Sequence, residues 1–437
     1  MNKARLALAG LAFFVAASAA EAQSDQFIPI LSYRVGPYAA GGSGYFGGTI
    51  DYFNLINMSG GINGVKLSWE ECETEYNASK GVECYERLKK KNGGASTVEP
   101  LSTGIAYGLL DRVAQDKIPM TTFGYGSANA ADGRVFEWVY PIGTTYWSQA
   151  SAMITYLGQK EGGLDKLKGK KIVHLYHDSA FGKEPIPVLD AFAAKVGFEL
   201  HKIPVAHPGN TQESQWLQIR QIKPDYVILW GWGVMNPTAL KAAAKFGFPR
   251  EKMLGVWWAG SEEDVIPAGD AAKGYVSAAF SAPGTSFPVM QDIKNKVYGA
   301  KKGNLEDASR QGSIYHTRGV VYGIIIVEAI RKAQEKYGKG KVMTGEQVRW
   351  GLEHINLSEA RIKELGAGGM FPPIKTSCED HEGSGMVRFQ QWDGKGFKPL
   401  TPYINGDRDL VRKMVEESAT KYATEKKITP RDCGKAG

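Results

Sequence analysis

The sequence of 437 residues is 43% hydrophobic, 11% aromatic and 23% charged, which excludes wholesale disorder, collagen-like repeats and a coiled coil. At about 150 residues per domain, the length gives two or three units, each able to bury a core. The formal charge of +7 is spread over 53 basic and 46 acidic side chains, without the concentrated basic run that nucleic-acid binding requires.

Lys3 and Arg5 precede an apolar stretch over residues 6–17, and Ala20-Glu21-Ala22 then supplies a small-x-small pattern. Such a stretch is too short to cross a bilayer of ~30 Å as a helix. The expectation is a signal peptide over residues 1–22, cleaved after Ala22, and an exported, soluble mature chain. In an oxidising compartment Cys72, Cys84, Cys378 and Cys433 read as disulfides. Three pairings are possible, and proximity favours Cys72–Cys84 and Cys378–Cys433. Zinc is the competing reading, but no CxxC spacing occurs and only His381 lies close to a cysteine, Cys378.

Beyond residue 27 the chain alternates short β-rich runs with amphipathic helical patterns, the signature of parallel sheets covered on both faces. In the first half, strands are expected over 28–34, 65–71, 95–98 and 118–122, with helices near 42–58, 77–91 and 102–115. A second series has strands over 171–176, 199–203, 226–230 and 253–257, with helices near 183–196, 212–222 and 237–246. Tyr140-Pro141-Ile142-Gly143 reads as a crossing segment between the two series. After residue 277 the regularity weakens; a long apolar helix over 316–336 precedes a Gly/Pro-rich stretch over 366–375.

Gly42, Gly44 and Gly47 match GxGxxG, and Glu70 ends the next strand, the order of a dinucleotide fingerprint. Residues 35–41 separate the strand from the first glycine, however, where that fingerprint turns at once. A glycine-rich loop touching some other ligand is the preferred reading, with a plain turn the alternative. No GxSxG, HExxH or GxxxxGK[ST] occurs. His174 and His177 read as packing histidines, and Glu70, Glu71, Glu73 and Glu75 as a solvated strand end without a calcium-loop pattern. Aromatic residues gather at strand ends: Tyr125 between glycines, Trp230-Gly231-Trp232-Gly233, and Val256-Trp257-Trp258. Ligands of open α/β sheets bind at the carboxyl ends of strands, where tryptophans supply flat apolar walls.

At these positions the chain resembles the solute-binding proteins of branched-chain amino-acid-type ABC importers. The resemblance rests on Val35-Gly36-Pro37, Asn57-Met58-Ser59-Gly60-Gly61-Ile62-Asn63-Gly64 and His177-Asp178-Ser179-Ala180-Phe181-Gly182-Lys183, followed by Asp225-Tyr226-Val227 and Lys245-Phe246-Gly247. It implies the type I periplasmic binding fold: two Rossmann-like α/β lobes joined by crossing hinge segments. The lobes would comprise 23–142 plus about 278–355, and 143–277 plus about 356–437. It also implies a monomer without cofactor or catalysis, binding a small molecule for a membrane permease and no nucleic acid.

Carried onto this chain, the resemblance places carboxylate recognition at Ser102, Thr103 and the loop from Gly124 through Tyr125 to Ser127. Both are strand-to-helix turns, whose free N–H groups favour an anion. Tyr38, Phe181, Trp232, Trp257 and Trp258 would supply the aromatic contacts. Amino-acid-binding members place an acidic residue where Trp257 or Trp258 falls here, so an ammonium would be buried without a counter-charge. That favours a hydrophobic or aromatic carboxylate, whereas a one-turn shift would restore Glu262 as an ammonium partner. A sensor module for a receptor and a secreted hydrolase with an unrecognised triad are the competing functions.

Overall fold

Parallel pairing begins at the first described strand of this computed structural model, which describes residues 25–434; the expected signal peptide lies outside the described residues. β1 (Asp25–Ile30) pairs in parallel with β2 (Lys66–Glu71), and β3 (Met120–Thr121) with β4 (Val139–Tyr140). Between these pairs the chain contributes only single bridges, Ile30 to Glu99 and Val98 to Met120. The strand expected over 95–98 is therefore reduced to bridges. Pro100 has no N–H to donate and Leu101 takes a positive φ of 44°, so extended pairing stops there.

The second lobe is built on β5 (Lys171–His177), β6 (Glu199–Val205), β7 (Tyr226–Trp230), β8 (Met253–Gly255) and β9 (Val276–Ala279), all parallel. β7 reads Tyr-Val-Ile-Leu-Trp and is buried throughout, as a strand covered on both faces must be. A short antiparallel pair, β10 (Asn356–Leu357) with β11 (Ile374–Lys375), intervenes. The chain then adds β12 (Arg388–Trp392) and β13 (Phe397–Pro399), both antiparallel, giving the order β13-β12-β9-β8-β7-β5-β6. β8 stops at Gly255, short of the expected Trp257. Trp257–Ala259 instead form a 3-10 turn, which carries both tryptophans off the sheet edge.

The GxGxxG stretch is helix, not loop: Gly42, Gly44 and Gly47 lie within Ala39–Met58. That helix packs against Ile314–Tyr337 so closely that side chains would collide. A Cβ on Gly48 would stand 2.1 Å from the His316 carbonyl oxygen, and one on Gly319 would stand 1.9 Å from that of Tyr45. The glycines permit helix contact, and neither the ligand-loop nor the plain-turn reading holds.

Three crossings join the lobes. Gly143 N–H donates to the Glu382 carbonyl at 2.8 Å, and Gly385 N–H to that of Gly143 at 2.8 Å. Ala282 N–H donates to the Met370 carbonyl at 2.7 Å. Arg361 pairs with Glu328 at 2.9 Å, holding the segment after β10 against the long helix of the first lobe. The helix Arg408–Lys426 touches both lobes: Asp407 N–H donates to Ser151 Oγ at 2.7 Å, while Tyr422 stacks on Phe136 with ring centroids 4.6 Å apart. Cys72–Cys84 and Cys378–Cys433 are both bonded, the second tying the tail to the third crossing.

Replacing Gly319 by valine forces the two packed helices apart and should cost about 1–3 kcal/mol or more in urea unfolding. Gly396, with nothing within 4 Å of its virtual Cβ, should accept alanine within about 0.5 kcal/mol of wild type.

Candidate functional site

The lobes face each other across a narrow, tightly closed cavity. Tyr33, Tyr76 and Tyr125 line it from the first lobe, with the Leu101-Ser102-Thr103 turn. Tyr146, Phe181, Trp232 and Trp258 line it from the other side. The fold accounts for these positions: Tyr33 and Tyr76 follow β1 and β2, Tyr125 follows β3, and Trp232 and Trp258 follow β7 and β8. Seven of the ten lining residues are aromatic and none is charged, so the cavity favours a flat or apolar body.

One polar corner interrupts the aromatic wall. Ser102 caps the helix Thr103–Asp116, its Oγ accepting from Ile105 N–H at 3.4 Å. The first turn of a helix leaves N–H groups without intrahelical acceptors and carries partial positive charge. Thr103 Oγ1 is buried there without a hydrogen-bond partner among the described residues. An anionic or polar ligand end would satisfy these groups together.

Six of the residues expected from sequence line the cavity: Ser102, Thr103, Tyr125, Phe181, Trp232 and Trp258. The others stand behind or beside it. Tyr38 donates its hydroxyl to His177 Nε2 at 2.8 Å, joining the lobes. Gly124, at φ +70°, lets Trp257 pack onto its backbone; a Cβ would lie 1.4 Å from that ring. Its carbonyl accepts from Trp258 Nε1 at 3.3 Å and Gln149 Nε2 at 3.1 Å. Ser127 Oγ donates to Asn129 Oδ1. Trp257 is fully buried against Phe123 and Phe280. Glu262 accepts from Ile314 N–H at 2.8 Å, and burial raises its pKa.

Sequence reasoning missed Tyr33, Tyr76, Leu101 and Tyr146. The strand-end rule that selected the tryptophans, applied to β1 and β2, would have found Tyr33 and Tyr76. Arg318, fully buried behind Trp258, was missed as well, and a basic residue inside an apolar helix was its signal.

Hydrogen bonds hold the cleft shut. Glu184 accepts from Ala128 N–H at 2.6 Å and from the Tyr107 hydroxyl, and burial raises its pKa. Val234 N–H donates to the Pro37 carbonyl at 3.2 Å. With His177 Nδ1 donating to Ser179 Oγ at 2.8 Å, Nε2 accepts from the Tyr38 hydroxyl.

Residues 25–397 match the sequence model of the periplasmic binding protein family. The chain belongs to that family. A crystal structure from the Pseudomonas fluorescens group, described as an ABC transporter permease, is 47% identical with a TM-score of 0.87, covering 94% of this chain and 100% of that one. A Thermus thermophilus branched-chain amino acid ABC transporter protein with bound valine is 21% identical, with a TM-score of 0.74 over 90% of this chain and 99% of that one. An R. palustris solute-binding protein in complex with benzoate is 17% identical, with a TM-score of 0.66 over 88% of this chain and 98% of that one. No curated protein matches the chain. Periplasmic binding proteins of this family are solute-binding proteins rather than enzymes and work with ABC transporter permeases, which implies an extracytoplasmic location. In this periplasmic binding protein, no helix among the described residues is long and apolar enough to cross a membrane.

The His177 contact makes closure pH-sensitive. Burial lowers its pKa from 6.5 to about 4, so the neutral ring is the form the folded protein holds. Its contribution to stability is complete above pH 6.5 and is lost as pH falls through about 4. Urea unfolding at pH 7 and pH 4.5 should show wild type losing more stability than His177→Gln over that interval. Equal losses would assign the acid limb to other groups.

Proposed function

We propose that this chain is the extracytoplasmic substrate-binding component of an ABC importer, capturing a small hydrophobic or aromatic carboxylate between its lobes. It would deliver that ligand, as a periplasmic monomer, to a membrane permease. The observation that carries the reading is the composition of the cavity: seven aromatic rings, one helix N-terminus with the unpartnered Thr103 Oγ1, and no carboxylate. An α-ammonium placed there would lose its hydration without gaining a counter-charge. The benzoate complex and a Thermomonospora curvata fatty acid substrate-binding protein support a carboxylate ligand within this fold.

The valine complex favours an amino acid as the second reading, with Glu262 as the ammonium partner. Glu262 is engaged with Ile314 N–H and Ser261 Oγ, behind the cavity wall. Asp264, the other buried acid on this turn, accepts from Asn236 Nδ2, Tyr315 Oη and Ser261 N–H.

Calorimetric titration of refolded, ligand-free protein with 3-phenylpropanoate and with phenylalanine separates the two readings. The simple acid should bind the more tightly, by at least tenfold. Tighter binding of phenylalanine would restore the amino-acid reading. Trp232→Ala should weaken the acid by about 2 kcal/mol, roughly thirtyfold, because it removes one face of the wall. Ser102→Ala should cost about 1 kcal/mol, since neighbouring N–H groups still meet the anion.

A further inference from the structure

Arg318 sits in the long helix Ile314–Tyr337 with no solvent exposure and no ion pair among the described residues. Its guanidinium carbon lies 4.6 Å from the Trp257 ring centroid, 4.5 Å from that of Trp258 and 5.5 Å from that of Tyr315. Nη2 donates to the Trp257 carbonyl at 3.0 Å, but Nε and Nη1 have no hydrogen-bond partner. A buried cation in this state is electrostatically incomplete. Ring faces and one carbonyl offset part of the desolvation cost but supply no negative charge.

The carboxylates packed nearby are committed elsewhere. Asp264 accepts from the Tyr315 hydroxyl at 2.7 Å and from Asn236 and Ser261; its charge reaches Arg318 through space, with no direct ion pair among the described residues. Glu262 holds Ile314 N–H, and Glu99 accepts from the Tyr45 hydroxyl at 2.6 Å and from Phe123 N–H at 3.2 Å. Burial lowers the Arg318 pKa to about 10, which leaves it charged at neutral pH. Trp258 both lines the cavity and contacts this guanidinium.

We infer that Arg318 is the charge that selects an anion in this cavity, acting through the Trp258 ring between them. The inference rests on the carboxylate reading above and adds its electrostatic source. The ligand anion supplies the negative charge that the buried guanidinium lacks, and the cavity's missing acidic residue becomes part of the same device. At an effective dielectric near 20, opposite charges on the two sides of a ring, roughly 8 Å apart, favour association by up to about thirtyfold. Arg318 is a positioning residue, since the ring intervenes between it and the ligand.

The test compares 3-phenylpropanoate with its neutral isostere 3-phenylpropanamide by calorimetry on wild type, Arg318→Met and Arg318→Lys. Wild type should favour the carboxylate. Arg318→Met should lose about tenfold toward the carboxylate with amide binding unchanged, and Arg318→Lys should keep most of the preference. Equal weakening of both probes would make Arg318 a support for the tryptophans alone and overturn the inference. A wild-type preference that survives Arg318→Met would also overturn it, while leaving the carboxylate reading intact. Absence of any preference in wild type would overturn both. Should the methionine variant fail to fold, the ¹³C-labelled carboxyl carbon of the probe bound to wild type reports the same field. Its pKa must fall below that of the free acid, and an unshifted or raised value overturns the assignment.

Discussion

The paired tryptophans after β8 are the contact on which the two lobes depend. Trp257 fits only because Gly124 offers a bare backbone, and Trp258 donates its indole N–H to that same residue's carbonyl. One dipeptide of the second lobe is thereby fixed to a first-lobe loop at ring-to-backbone distance. Arg318 then closes the assembly from the long helix, contacting both rings and one carbonyl. The cavity wall, the loop and the buried charge form one packed unit. Displacement of Trp257 would disturb all three, although Trp257 itself does not line the cavity.

A covalent and helical framework ties together the lobes that this unit joins. Two of the crossings hydrogen-bond to each other through Gly143, Glu382 and Gly385, while the crossing at Ala282 bonds to Met370. The helix Arg408–Lys426 lies against both lobes, with Lys426 paired to Asp111 at 2.7 Å on one side and Asp407 to Lys195 at 2.5 Å on the other. The Cys378–Cys433 bond anchors the end of this tail beside the third crossing. Opening must therefore bend the crossings and slide or peel exposed contacts of the C-terminal helix, which are individually weak.

The fold was legible because parallel strands buried on both faces read as short apolar runs, and β7 over Tyr226–Trp230 coincides with its expectation residue for residue. Where packing overrides local pattern, legibility failed. Gly42, Gly44 and Gly47 suggested a loop, yet they lie in a helix whose Gly44 and Gly48 face the long helix at Tyr315 and His316; nothing local in the sequence records a partner more than two hundred residues away. The candidate site was half legible for a similar reason. Strand-end aromatics were visible as a type, but whether a tryptophan faces the cavity or stands behind it depends on a single turn. Trp257 and Trp258 are adjacent in sequence and fall on opposite sides of that distinction. Arg318 was visible as a basic residue inside an apolar helix, but no pattern of neighbouring residues records that it lacks an ion-pair partner.

The protonation states around the cleft give these pieces a common direction. His177 is held neutral by burial, Glu184 has its pKa raised by burial, and the tyrosines at the cavity keep their protons for the same reason. The lobes thus close mainly through hydrogen bonds and ring packing near the cavity. Inside such a low-dielectric cleft, the remaining fixed charges weigh more than they would in water. Among them are the positive end of the helix Thr103–Asp116 and the guanidinium of Arg318. Both have the same sign and approach the cavity from different elements, so closure without an anion leaves both underused. Closure around an anion satisfies both at once, and that difference is the differential affinity a ligand needs in order to shift two lobes from open to closed.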